Sequence, residues 1–223
     1  MRVVALCDIH GNVHALEAVL AEVDADAFVF GGDVVWGAWP RETLELAQSL
    51  GDRAHFLSGN MDRIALANRE DESTLYVQER LSEEQQAFVR AWPATVSLDG
   101  VLYCHATPRS DEEIVTPFSD EERWHEVLEG VKEETVVCGH IHYQYDERHA
   151  DRRVVNPGSV GLPTIRAAAW WAVFDGGEVE LRTTDYDIER TAAELRATGF
   201  PRPDFAAELV QPRSLEQLRE RIG

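Results

Sequence analysis

Short apolar runs recur along this chain, and each stops at residues able to hold a metal. Residues 2–7 run into Asp8-Ile9-His10, and 27–30 into Gly31-Gly32-Asp33. Residues 55–57 lead to Gly59-Asn60-Met61-Asp62, 101–104 to His105, and 135–138 to Gly139-His140-Ile141-His142. A run that is apolar throughout is expected of a strand buried on both faces. Between the first three runs, Val13, Leu16, Val19, Leu20 and Val23 recur at helical spacing behind Asn12, a suitable N-cap. Leu44, Leu46, Ala47 and Leu50 predict a second helix, opened by Pro40 and stopped by Gly51. Strand alternating with helix is the pattern of βαβ units and a parallel sheet.

The middle of the chain changes character. Residues 71–92 read as mostly helical, with a capping box at Ser82 and Gln85 and a stop at Pro93. Asp99-Gly100 between two apolar runs predicts a hairpin. A helix is expected over 119–128, and strands over 143–145, 153–155, 169–174 and 179–183, the last pair turned by Gly176-Gly177. Two helical patterns close the chain: Ile188, Ala192 and Leu195, then Leu215, Leu218 and Ile222, separated by Pro201-Arg202-Pro203. Too short to form a core alone, these C-terminal helices, from about residue 185, belong with one domain spanning 1–223. The expected class is α/β, with a mostly parallel sheet from the first half packed on a more antiparallel sheet from the second, and helices outside.

With 21 basic and 41 acidic residues, the 223-residue chain carries a formal charge of −20. Such a surface repels nucleic-acid backbones and anionic membranes, so general nucleic-acid binding is not expected. No apolar stretch reaches the roughly 18 residues of a membrane span, and residues 1–8 have no signal-peptide layout, so a cytoplasmic location is expected. Cys7, Cys104 and Cys138 form no C-x-x-C pair and read as buried core residues.

In an α/β sheet, ligands bind beyond the carboxyl ends of the strands. Five strand ends therefore bring Asp8, His10, Asp33, Asn60, His105, His140 and His142 to one crevice. On extended backbone, residues two apart project to one side, so Asp8 with His10 and His140 with His142 are expected to aim at one centre. Glycines at 32, 59 and 139 permit the crowding. Mixed Asp, Asn and His donors suit first-row divalent ions, Mn²⁺ first and Fe or Zn²⁺ next, rather than a thiolate-rich structural zinc site. Seven donors fit two ions sharing a carboxylate, and coordination lowers the pKa of water from about 15.7 toward 7. Two dications against Asp8, Asp33 and a bridging hydroxide leave one net positive charge, which favours a phosphate ester as substrate.

These motifs, in this order, resemble the calcineurin-like metallophosphoesterases, and among them the small bacterial and archaeal phosphodiesterases often grouped with diadenosine tetraphosphatases. Asn156-Pro157-Gly158-Ser159 is similar to a later element of that family. The resemblance implies a four-layer α-β-β-α sandwich of two packed mixed sheets flanked by helices. It implies that Asp8, His10 and His142 hold one metal, that Asn60, His105 and His140 hold the other, and that Asp33 bridges them. Asn60, His105 and His140 would also stabilise the transition state. Where much of the family has a general-acid histidine, this chain has Met61. Asp62 then has no imidazole to orient and is left to cap the following helix, and the missing acid favours diesters and anhydrides over esters with poor leaving groups.

The expected activity is hydrolysis of phosphodiester or phosphoanhydride bonds in a small, nucleotide-like substrate by a metal-bridging hydroxide. The rivals are a non-catalytic protein-interaction scaffold, which the full ligand set disfavours, a nuclease, which the charge disfavours, and a phosphomonoesterase or protein phosphatase, which Met61 disfavours. Arg109, shortly after His105, is a candidate for substrate phosphate, or else a partner for Asp111 or Glu112. His14, His55, His125 and His149 read as structural, and Trp36 and Trp39 as rim residues for base stacking or packing.

Overall fold

Two layers compete for the side chains of the first strands, and the alternation along each strand shares them out. The computed structural model describes residues 1–222, and side chains through residue 220. The side chain of Ile222, last in the expected tail pattern, lies outside the described residues. In β1 (Arg2–Leu6) and β2 (Ala27–Gly31), Val4, Leu6, Phe28 and Phe30 pack outward with Leu16, Val19 and Leu44 of the helices α1 (Val13–Glu22) and α2 (Pro40–Gln48). Val3, Ala5, Ala27 and Val29 point the other way, into a second cluster with Tyr103, Val137 and Val155. Those three belong to β5 (Val101–Cys104), β6 (Thr135–Val137) and β8 (Arg152–Asn156) of another sheet. Beyond it, Leu102, Val136 and Val154 pack on Trp124 and Val127 of α6 (Glu121–Val127). The layers therefore run helix, sheet, sheet, helix, and the period of two in strand side chains explains why both sheets are apolar on both faces.

The first sheet has the order β10-β9-β1-β2-β3, with β3 at Ala54–Leu57, β9 at Ala169–Asp175 and β10 at Glu178–Thr184. The second is β4-β5-β6-β8-β7, with β4 at Thr95–Leu98 and β7 at Tyr145–His149. Pairing departs from the expected split between halves. β1, β2 and β3 are parallel, but β9 and β10 join them antiparallel. In the second sheet β5, β6 and β8 are parallel and β4 and β7 antiparallel. The reason lies in β9, whose Trp171 and Ala172 are fully buried and face opposite layers. Such a strand needs cover on both faces, and the position beside β1 supplies it.

Two boundaries also shift. The strand expected from Tyr143 begins at Tyr145, because residues 139–144 form the loop that carries His140 and His142. The expected proline separator instead starts a helix, α8 (Pro203–Val210), with Pro203 in its first turn, where a missing N–H costs nothing. It packs on α7 (Ile188–Thr198) and precedes α9 (Leu215–Ile222). The expected features elsewhere are present: the Asn12 N-cap, the Ser82–Gln85 capping box, the hairpin at Asp99-Gly100 and three buried free cysteines. No helix among the described residues is long and apolar enough to cross a membrane.

Candidate metal centre

The loops after β1, β2, β3, β5 and β6 meet at one edge of the two sheets, but not on extended backbone. Asp8, His10, Asp33, His140 and His142 all have positive φ, between 48° and 68°. The expected same-side projection from extended segments is therefore corrected. Each pair converges through left-handed turns, a conformation that costs a non-glycine residue on the order of 1–2 kcal/mol. Surrounding bonds over-determine it. His10 N–H donates to the Asp33 carbonyl (2.8 Å), Gly139 N–H to the His105 carbonyl (2.7 Å), and His140 N–H to Asp8 Oδ2 (2.9 Å). Ser159 Oγ donates to the Asp8 carbonyl (2.8 Å), and Asn156 Nδ2 to the Gly139 carbonyl (2.8 Å). A Cβ at Gly59 would lie 2.2 Å from Asp33 Oδ1, and one at Gly139 would lie 2.6 Å from Asp8 Oδ2, so neither position accepts a side chain.

The side chains turn their ligand atoms toward one another. His142 Nδ1 donates to the Leu162 carbonyl (2.8 Å), which turns Nε2 to within 3.1 Å of His10 Nε2 and 3.3 Å of Asp8 Oδ1. His105 Nδ1 donates to the Gly31 carbonyl (2.9 Å), which turns its Nε2 to within 3.0 Å of Asn60 Oδ1 and 3.4 Å of Asp33 Oδ2. A carbonyl fixing the far nitrogen is the usual outer support of a ligating imidazole. Among the described residues, Asp8 Oδ1 and His10 Nδ1 have no hydrogen-bond partner although both are buried. Ligand atoms gathered at 3.0–3.4 Å from one another are stabilised by a cation between them. Asp8, His10 and His142 bring ligand atoms within 4.8 Å of one another, and so do Asp8, Asp33 and His105. Asp33 Oδ2 faces both groups, 3.9 Å from His10 Nε2 and 3.4 Å from His105 Nε2. His140 belongs to neither compact group, but its ring lies 5.1 Å from that of His105 and lines the same cavity as His10, Asp33, Asn60 and His142.

The charges agree with ligation. Burial and the neighbouring His142 lower His10 to about 4, and burial and His105 lower His140, so both rings are neutral donors at pH 7. Burial alone would also lower His105, but Asp33 outweighs it and raises the ring to about 10. Burial would raise Asp33 and Asp8, yet His105 and His142 respectively hold the two carboxylates low. A cation at His105 Nε2 takes the place of that proton beside the same carboxylate.

Three supporting residues lay outside the expected ligand set. Asp62 Oδ1 accepts from Val34 and Val35 N–H (both 2.9 Å), and Oδ2 accepts from Gly59 N–H (3.1 Å). It sits in the third position of the helix α3 (Asn60–Ala65) and caps it only by reaching back, while stapling the Asp33 loop to the Asn60 loop. Burial and Asp33 raise it to about 7. Ser159 holds Asp8 from behind, and Thr164 Oγ1 donates to the His142 carbonyl (2.6 Å).

Arg109 is not among the residues lining the cavity. Its guanidinium is held by Glu113 (2.6 Å) and Glu126 (2.8 Å), while Asp111 and Glu112 pair with Arg63. His14 pairs with Glu194 and His149 with Glu121. Trp36 lines the cavity; Trp39 packs edge-on against His14.

An uncharacterized protein of Methanocaldococcus jannaschii is 24% identical over 234 residues, covering 89% of this chain and 93% of its own. The crystal structure of a metallophosphoesterase from Sphaerobacter thermophilus has a TM-score of 0.81 at 23% identity, covering 94% of this chain and 99% of its own. A structurally characterised archaeal phosphodiesterase has a TM-score of 0.51 at 15% identity, covering 82% and 99%. Residues 1–177, which include every loop that carries a candidate ligand, match the calcineurin-like phosphoesterase superfamily domain. The chain belongs to that superfamily of phosphoric ester hydrolases.

Proposed function

We propose that this chain hydrolyses phosphodiester or phosphoanhydride bonds of a small phosphorylated substrate at a centre of two divalent cations. Asp8, His10 and His142 would hold one ion and Asn60, His105 and His140 the other, with Asp33 between them. The observation that carries the reading is the convergence of imidazole Nε2 atoms, Asn60 Oδ1 and the Asp8 and Asp33 carboxylates at 3.0–3.4 Å, with Asp8 Oδ1 buried and without a hydrogen-bond partner among the described residues. Cations there supply Lewis acidity and an acidified water, and the donor set suits Mn²⁺ first, with Fe or Zn²⁺ also acceptable.

The chain's own groups do the rest. With Asn60 Oδ1 turned toward His105, its amide nitrogen is free to donate to a phosphoryl oxygen in the cavity. His140, neutral and at the cavity wall, adds a second polar contact to the developing charge. Met61 lines the cavity and donates no side-chain proton, while its N–H is committed to Asp33 Oδ1 (2.8 Å). Leaving groups that depart as stable anions are therefore favoured, which supports diester or anhydride cleavage over unactivated monoesters. The fold likeness to an archaeal phosphodiesterase is consistent with this reading. The test is hydrolysis of bis(4-nitrophenyl) phosphate by the purified chain. Activity should vanish after chelation and return with Mn²⁺; chelator-resistant turnover, or none with metal restored, would overturn it.

A further inference from the structure

The cavity is not walled by metal-binding loops alone. Arg202, Phe205, Glu208, Arg213 and Leu218 of the C-terminal segment line it together with the ligand residues. All five follow residue 177, where the family match ends, so the shared motifs do not dictate them.

Size, surface and charge each restrict what this wall accepts. The cavity measures about 260 Å³, below the roughly 300–1,000 Å³ of sites that hold drug-sized ligands. Bound cations would share even that space. The lining beyond the ligands is largely apolar: Trp36, Met61, Ile114, Leu162, Phe205 and Leu218. Phe205 packs edge-on against both Trp36 (5.4 Å between ring centres) and the ligand His10 (5.8 Å), which fixes the wall against the metal centre. Among the described residues, Arg202 and Arg213 are the cationic side chains lining the cavity, and each is already neutralised, Arg202 by Asp204 (2.6 Å) and Arg213 by Glu208. Away from the ligand cluster, then, no net positive charge receives a second phosphate. An additional phosphate would meet the Glu208 carboxylate, which repels it, in a chain of net charge −20.

We infer, resting on the phosphoesterase reading, that the C-terminal wall selects esters with one phosphoryl group and compact apolar substituents, such as monoanionic phosphodiesters, and rejects dinucleoside polyphosphates. Glu208 is the specificity-determining residue, because it lines the cavity and its carboxylate pairs with Arg213, whereas Asp204, the partner of Arg202, is not a lining residue.

The experiment compares kcat/KM of the Mn²⁺-loaded full-length chain on bis(4-nitrophenyl) phosphate and on diadenosine tetraphosphate. The wild type should prefer the diester by at least about 100-fold, since unpaired like charges cost several kcal/mol. Glu208→Gln releases Arg213 and should raise the relative rate on the polyphosphate by about 10-fold or more, a gain that misfolding cannot produce. Leu218→Ala should weaken the diester by about 10-fold, mostly in KM, as expected for methylenes lost from an apolar subsite. Equal or better use of the polyphosphate by the wild type, or an unchanged ratio in Glu208→Gln, would overturn the inference while leaving the phosphoesterase reading intact. Failure to hydrolyse either compound would remove that reading and the inference with it.

Discussion

The floor and the C-terminal wall of the cavity are built by opposite means. In the floor, Asp8, His10, Asp33 and His105 are at most 6% exposed, and five ligand candidates hold left-handed backbone. The bonds that secure them cross between loops far apart in sequence, as from Ser159 to Asp8 or from His140 to Asp8. In the wall, Arg202 pairs with Asp204 and Arg213 with Glu208, partners two and five residues apart on or beside ordinary helices. A reacting centre needs ligands held within a fraction of an ångström, and crossed loop contacts supply that rigidity. A selecting wall needs only shape and charge, and local pairs can change without disturbing the floor.

If that division is right, substitutions should grade from floor to periphery. Asp33→Asn removes the carboxylate that faces both ligand groups, and should lower kcat/KM at least about a thousandfold, because charge stabilisation at such centres is worth several kcal/mol. Steady-state kinetics with metal analysis of the variant checks this; a loss below tenfold would break the floor account. His140→Ala should remove most activity and one metal ion, read by the same two assays, and full rate with full metal content would show the ligand assignment to be wrong. Asp62→Asn places an amide against Gly59 N–H or against Val34 and Val35 N–H, so one staple is lost. Support residues of this kind are worth about 10–100-fold in metal affinity, measurable by Mn²⁺ titration. Arg109→Ala, by contrast, should leave kcat/KM within about twofold, because its guanidinium serves Glu113 and Glu126. That network predicts a pH effect instead. Arg109 holds Glu113 at about 2, below its ordinary 4.5. Its stabilisation is complete above 4.5 and is lost as pH falls toward 2, so acid unfolding of Arg109→Ala should lose part of that pH dependence.

The same contrast explains what the sequence made legible. Floor residues announce themselves because each follows an apolar strand, and strand ends in such sheets converge. Asp8, His10, Asp33, Asn60, His105 and His142 come within 3.0–3.9 Å of a neighbour in that cluster, and His140 stands beside them on the cavity wall. What remained hidden was the backbone: nothing in Asp8-Ile9-His10 announces two left-handed residues, since that conformation is imposed by bonds from Gly32, Asp33 and Ser159. Pairing of β9 beside β1 was equally invisible, because a run buried on both faces fits either sheet until the layers are assembled. The wall was illegible for a different reason. Arg202, Glu208 and Arg213 look like any charged residues of a surface helix, and only the fold carries them over the cavity. Arg109 erred in the other direction, close to His105 in sequence but directed into a carboxylate network by Glu113 and Glu126.

Crystals equilibrated with Mn²⁺ and measured at the manganese absorption edge test the central claim most directly. Two anomalous peaks per chain, about 3.5–4 Å apart, should appear, one touching Asp8, His10 and His142, the other Asn60, His105 and His140, and both touching Asp33. A single peak at saturating metal, or two peaks of which Asp33 touches only one, would contradict the account.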